Sequence, residues 1–170
     1  MDRKSFFGSV VVILSVVLFP LSISCEKGAL APPAEDKVLL LITEEEAAGP
    51  NTKDLIEKDL MGLKEYENGP KIVIETPQNN STFCDSFCLH INIKKRENGP
   101  DVNMDSFKVS YLKLVPIDIT DRVRKNIKGT ELYIPSAGFP EAGNYRFEFY
   151  VEDMNKNATA KYLSVYRTLE

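Results

Sequence analysis

Two cysteines four positions apart, Cys84 and Cys88, stand just ahead of the only histidine, His90, in the stretch STFCDSFCLH. Thiolate and imidazole are the soft donors that hold copper or zinc. Two thiols at this spacing can also close a disulfide or work as a redox pair. Which of these applies depends on compartment and on the third cysteine, Cys25. Nucleophilic catalysis needs a base beside a Ser, Cys or Thr, and one histidine next to oxidisable thiols serves that poorly. No nucleophile-elbow, zinc-protease or phosphate-loop pattern occurs. The expectation is a protein that is not an enzyme and uses no cofactor.

Compartment is read from the N-terminus, MDRKSFFGSVVVILSVVLFPLSISC. Arg3 and Lys4 form a short basic region, and Ser5 to Ser24 run without a charge, the pattern of an export signal or membrane anchor. Pro20 interrupts the run near its end, and small Ser22 and Ser24 precede Cys25. LSISC resembles the lipobox of bacterial lipoproteins. The resemblance implies that residues 1–24 are removed and that Cys25 is lipidated as the new N-terminus, anchoring the chain to a membrane. Simple secretion after a cut at the same bond, and a retained helix long enough to cross a bilayer, are the alternatives. All three put the remainder outside the cytoplasm, facing the periplasm or cell surface, where disulfides persist. With Cys25 taken by lipid, Cys84 and Cys88 are left as an even pair, which favours a disulfide. Residues four apart in a straight strand lie about 13 Å from each other, so a bridge requires a bend at Asp85 and Ser86.

The elements that must position these residues change character along the chain. Residues 25–69 read as a tether with short helices. EKGALAPPAEDK follows Cys25, Thr43 and Glu46 fit a capping box, and Leu55, Ile56, Leu60 and Leu63 recur near helical spacing between Lys53 and Tyr66. From residue 70 to 170 the apolar period becomes two. Strands are predicted at Lys71–Thr76, from Phe87 to Lys95, at Ser106–Val115, Glu131–Ile134, Asn144–Asp153 and Thr159–Tyr166. A further short strand is expected before Thr120, which would cap a single helical turn. Phe87, Leu89, Ile91 and Ile93 share one face, which puts Cys88, His90 and Asn92 on the other. In NYRFEFYVED, Tyr145, Phe147, Phe149 and Val151 point in, and Arg146, Glu148, Tyr150 and Glu152 point out. Six or seven short antiparallel strands bury one face each most economically as a two-layer β-sandwich, so the class is mainly β.

The tail GNYRFEFYVEDMNKNATAKYLSV resembles the last hairpin of bacterial Ig-like and cadherin- or fibronectin III-like domains, and the resemblance covers residues 70–170. It implies an Ig-like sandwich and gives Gly143 and Tyr145 the place of a tyrosine corner, whose phenol hydrogen-bonds back to the backbone upstream. Lys156 stands where those domains carry a glycine. The whole chain is also similar to exported bacterial proteins with an LLITEEEA-like segment ahead of such a domain, a likeness that implies no activity. The two-cysteine spacing resembles the copper-binding pair of some periplasmic assembly factors, which have a thioredoxin-like fold and a distant histidine.

A formal net charge of −4 leaves no basic surface for phosphates, so no nucleic-acid partner is expected. Asp101, Asp105, Asp118, Asp121 and Asp153 offer the oxygens calcium takes in extracellular sandwiches, without an EF-hand loop. Trp is absent, so only Tyr150, Tyr162 and Tyr166 offer the stacking faces that sugar binding uses. Asn79, Asn80 and Asn157 match glycosylation acceptors, which matter only in a eukaryotic secretory host. These features together predict a non-catalytic, exported, lipid-anchored Ig-like module that binds a protein or envelope component. The alternative is a periplasmic copper- or zinc-handling or thiol-redox protein built on Cys84, Cys88 and His90.

Overall fold

Alternation of apolar and polar side chains sorts each long strand of this chain into an inner and an outer row, and two such sheets close over their inner rows. The computed structural model describes residues 37–48 and 66–169. The N-terminal segment with Cys25, and most of the helix expected between Lys53 and Tyr66, lie outside them. In chain order the elements are β1 (Leu39–Leu40), α1 (Glu44–Ala48), β2 (Tyr66–Glu67), β3 (Lys71–Thr76), β4 (Ser81–Phe83), β5 (Ser86–Lys94), β6 (Val102–Tyr111) and β7 (Ile117–Asp118). They continue with α2 (Thr120–Arg124), β8 (Ile127–Lys128), β9 (Glu131–Gly138), β10 (Gly143–Asp153) and β11 (Ala158–Arg167). The first sheet runs β1-β9-β5-β3 with β8 on β9, and the second runs β2-β11-β10-β6-β7 with β4 on β11. Short β1 and β4 pair in parallel with β9 and β11, and the remaining pairs are antiparallel.

The predicted inner rows are the core. Leu89, Ile91 and Ile93 of β5 meet Phe107 and Val109 of β6 and Phe147, Phe149 and Val151 of β10, each 2% exposed or less. Deleting such a ring costs about 3–5 kcal/mol, because the cavity refills only partly. Two further residues belong to this core although their segment precedes the alternating region: Leu41 is 2% exposed and Ile42 is fully buried. The capping box forms as the sequence predicts, with Glu46 N–H donating to Thr43 Oγ1 at 3.3 Å and Thr43 N–H donating to Glu46 Oε2 at 2.9 Å. Glu46 is then gripped by Arg122 of α2, whose two terminal nitrogens donate to its two oxygens at 2.6 Å each. Arg122 also donates to the Leu41 carbonyl at 2.9 Å.

Three local differences from the sequence reading have physical causes. β6 begins at Val102 and stops at Tyr111, because β10 is long enough to pair as far as Asp153 with Val102. Leu114 and Val115, inside the predicted strand, are instead 57% and 72% exposed. Thr120 does not cap its helix. Its hydroxyl accepts from Val109 N–H at 2.9 Å, closing the β6 edge, while its own N–H donates to Asp118 Oδ1 at 2.8 Å. The β10–β11 hairpin keeps the glycine-type turn without the glycine: Lys156 adopts φ +63°, and its N–H donates to the Asp153 carbonyl at 3.0 Å. A left-handed lysine is strained where glycine is not. Lys156→Gly is therefore expected to stabilise the fold by about 0.5–1 kcal/mol, read as a higher urea midpoint at unchanged slope.

Candidate functional site

The chain crosses from the second sheet to the first within Cys84 and Asp85, between β4 and β5. The crossing is sharply bent: Phe83 and Phe87, four residues apart, stack with ring centroids 4.8 Å from each other. Cys84 lies at this bend, its Sγ 3.8 Å from Thr168 Oγ1, and its carbonyl accepts from Arg167 Nε at 3.4 Å. Cys88 is half-buried on the outer face of β5, opposite the bulge that Pro135 and Ser136 introduce into β9. Cys84 and Cys88 are not bridged to each other in the structure.

His90, two positions further along the same outer face, is committed to protein partners. Its Nε2–H donates to Glu131 Oε1 at 2.7 Å, and its ring meets Tyr133 edge-on at 5.4 Å between centroids. With that nitrogen donating, Asn92 Nδ2 turns to Glu75 Oε1 at 3.4 Å, so a polar row runs across β3, β5 and β9. Only Nδ1 of His90 is left to serve as a ligand nitrogen. Among the described residues, no group of three or more His, Cys, Asp or Glu side chains is placed to hold a metal ion. The aspartates considered for calcium are dispersed. Asp101 pairs with Lys95 at 2.7 Å, Asp121 with Arg124 at 3.2 Å, and Asp118 caps Thr120. Burial pushes the Asp153 carboxyl up, but hydrogen bonds from Asn157 and Asn155 outweigh it and hold the group below its ordinary value.

Tyr145 is 3% exposed and its hydroxyl donates to the Glu141 carbonyl, four residues upstream, at 2.9 Å. Its ring lies flat on Phe139, centroids 3.9 Å apart, and burial pushes its phenol pKa up. This residue fastens the start of β10 and is closed to ligands. Asn79 and Asn157 are turn residues whose side chains hold neighbouring backbone or carboxylate.

A concave polar surface lies elsewhere, on the outer face of the second sheet. Ser106, Lys108 and Ser110 of β6 face Glu148, Tyr150 and Glu152 of β10 around an open hollow of about 400 Å³. Cross-strand register sets Glu148 opposite Ser110 and Tyr150 opposite Lys108. Beyond Tyr150 the register slips, and the bulge is pinned by Glu152 N–H donating to Ser106 Oγ at 2.7 Å. Two serines flanking one lysine leave the space that larger side chains would fill. Both carboxylates are pre-oriented by phenols: Tyr150 OH donates to Glu152 Oε1 at 2.6 Å and Tyr162 OH to Glu148 Oε1 at 3.0 Å. The Glu152 hydrogen bond, then burial, then the two carboxylate charges push the Tyr150 phenol up to about 12, so it stays a donor. The hollow therefore presents carboxylate acceptors, hydroxyls, an ammonium and an aromatic ring. Sequence reading singles out Tyr150 and Tyr162 but not the serines. The available signal is the outward alternation Ser-x-Lys-x-Ser within SFKVSY.

No family profile matches the chain, and no curated protein matches it. Among solved structures, CopC from Methylosinus trichosporium OB3b is similar with a TM-score of 0.40 and 14% identity, over 59% of this chain and 95% of that one. At that level the likeness bears on neither family nor function. No helix among the described residues is long and apolar enough to cross a membrane.

Proposed function

We propose that this chain is a non-catalytic binding module of the bacterial envelope, an exported Ig-like β-sandwich held to a membrane by lipid on Cys25. The observation that carries the binding role is the polar hollow between β6 and β10, where carboxylates, hydroxyls, an ammonium and an aromatic ring converge on an open face. The uncharged stretch ahead of Cys25 supports export and anchoring. We further propose that outside the cytoplasm Cys84 and Cys88, which the structure leaves unbridged, close a disulfide. The Phe83–Phe87 stack supports this, since it marks the bend that a bridge between residues four apart requires.

Co-sedimentation with purified envelope fractions tests the binding role. The full chain is expected to pellet with a cell-wall or outer-layer fraction, and the double variant Lys108→Glu, Tyr150→Ala to lose roughly tenfold in affinity. A Tyr133→Ala control on the opposite face keeps wild-type binding. Equal binding by the hollow variant rejects this face. Intact mass of the same preparation reports a diacylglyceryl adduct on Cys25 and two hydrogens fewer at Cys84 and Cys88. An unmodified Cys25 rejects the anchor, and two alkylatable thiols reject the bridge.

A further inference from the structure

The open edge of the first sheet carries an apolar patch that the fold does not use. Along β1, Leu39 and Leu41 turn inward, while Val38 and Leu40 turn outward and are 45% and 51% exposed. At Gly138, β9 offers them backbone but no side chain. Opposite Leu40 stands Gly138, and Val38 Cγ1 comes so close to that backbone that a Cβ there would sit 2.7 Å away. Beside them Lys37, Lys125, Pro135 and Ser136 help line a second hollow of about 420 Å³. Neither lysine is ion-paired among the described residues. Glu131, further along β9, is already engaged by His90. Exposed aliphatic side chains beside lysines that make no ion pair among the described residues match a surface of anionic headgroups over hydrocarbon, the lysines meeting phosphates and the aliphatics the interface.

The patch also lies at the first of the described residues. Lys37 comes twelve residues after Cys25, a covalent reach of at most roughly 40 Å. We propose that this edge docks on an anionic lipid surface, with Val38 and Leu40 in the interface and Lys37 and Lys125 on headgroup phosphates. The inference rests on the membrane-anchored reading above. It gives the module an orientation, because the outer face of the second sheet, with its polar hollow, is then turned away from the bilayer.

The absence of tryptophan makes a clean reporter available. Full chain carrying Leu40→Trp is purified from membranes and reconstituted into phosphatidylcholine vesicles with or without phosphatidylglycerol, association being checked by flotation. With phosphatidylglycerol present, its emission is expected to move to the blue and to be quenched by bromine-labelled acyl chains. Val38→Trp is a second reporter should the first disturb folding. Tyr166→Trp, on the far face, keeps solvent-like emission. Adding Lys37→Gln and Lys125→Gln lowers the docked-to-undocked ratio by roughly thirtyfold. A chain that floats while the position-40 reporter stays solvent-like overturns docking and leaves anchoring intact. A blue shift without vesicles that grows with protein concentration means a second copy covers the patch, and also overturns it. A chain that does not float overturns the anchored reading itself.

Discussion

A chain shortened to residues 70–170 is expected to be unfolded or nearly so at room temperature, whereas one beginning at Lys37 folds with the stability of the full chain. The shortened form keeps every long strand, so its loss isolates what the earlier segment supplies. It lacks Leu41 and Ile42, which fill the core, and each such removal costs about 2–5 kcal/mol. It also lacks β2, which pairs with β11, and β1, which pairs with β9. Against a total stability of about 5–15 kcal/mol for a domain of this size, those losses are decisive. Urea unfolding followed by far-ultraviolet circular dichroism checks it. A cooperative transition for the 70–170 chain within about 1 kcal/mol of the longer one would show that residues 37–48 merely rest on a self-sufficient sandwich.

The second large effect lies in the clasp that holds this segment. Glu46 and Arg122 side chains are 20% and 32% exposed, and their two-pronged contact at 2.6 Å includes the Leu41 carbonyl on the same guanidinium. The Arg122 hydrogen bond, opposed by burial and helped by the Thr43 N–H, holds the Glu46 carboxyl down at about 2, against an ordinary value of 4.5. The same partner pushes Arg122 further up. Because the folded value lies below the unfolded one, the contribution is complete above about pH 4.5 and drains away as pH falls toward 2. Allowing for water's access to the pair, it is worth about 1–2 kcal/mol. Glu46→Gln should lose that amount at pH 7 and flatten the acid limb of the stability profile between pH 5 and 2 relative to wild type. An unchanged acid limb would mean other carboxylates set it.

What the sequence made legible follows from the range of the interactions involved. The inner rows of β5, β6 and β10 are written as a period of two, a property of consecutive residues, and each lands where the period puts it. The Tyr145–Glu141 bond and the Thr43–Glu46 box span four and three residues, so local pattern suffices for them too. β1 is different. Two residues have no period, and Leu39 and Leu40 pair as a strand, with core Leu41 and Ile42 just after them, only because Ala137 and Gly138, about a hundred positions away, offer an edge. The hollow is illegible for a related reason. Small Ser106 and Ser110 matter only beside the register slip at Tyr150 and Glu152, and that slip belongs to a strand pair, not to either strand. Cys88 and His90 share an outer face as alternation requires, yet what His90 touches is settled by Glu131 on β9.

The parallel pairing of β1 with β9 has a mechanical consequence. Any pull transmitted through the N-terminal side arrives at Lys37 and acts first on a two-residue ladder, Leu39 and Leu40 against Ala137 and Gly138, reinforced by Leu41 N–H on the Gly138 carbonyl. Behind that ladder stands the guanidinium of Arg122, bonded to the Leu41 carbonyl and to Glu46. Under tension, the first rupture is therefore a short detachment of residues 37–48.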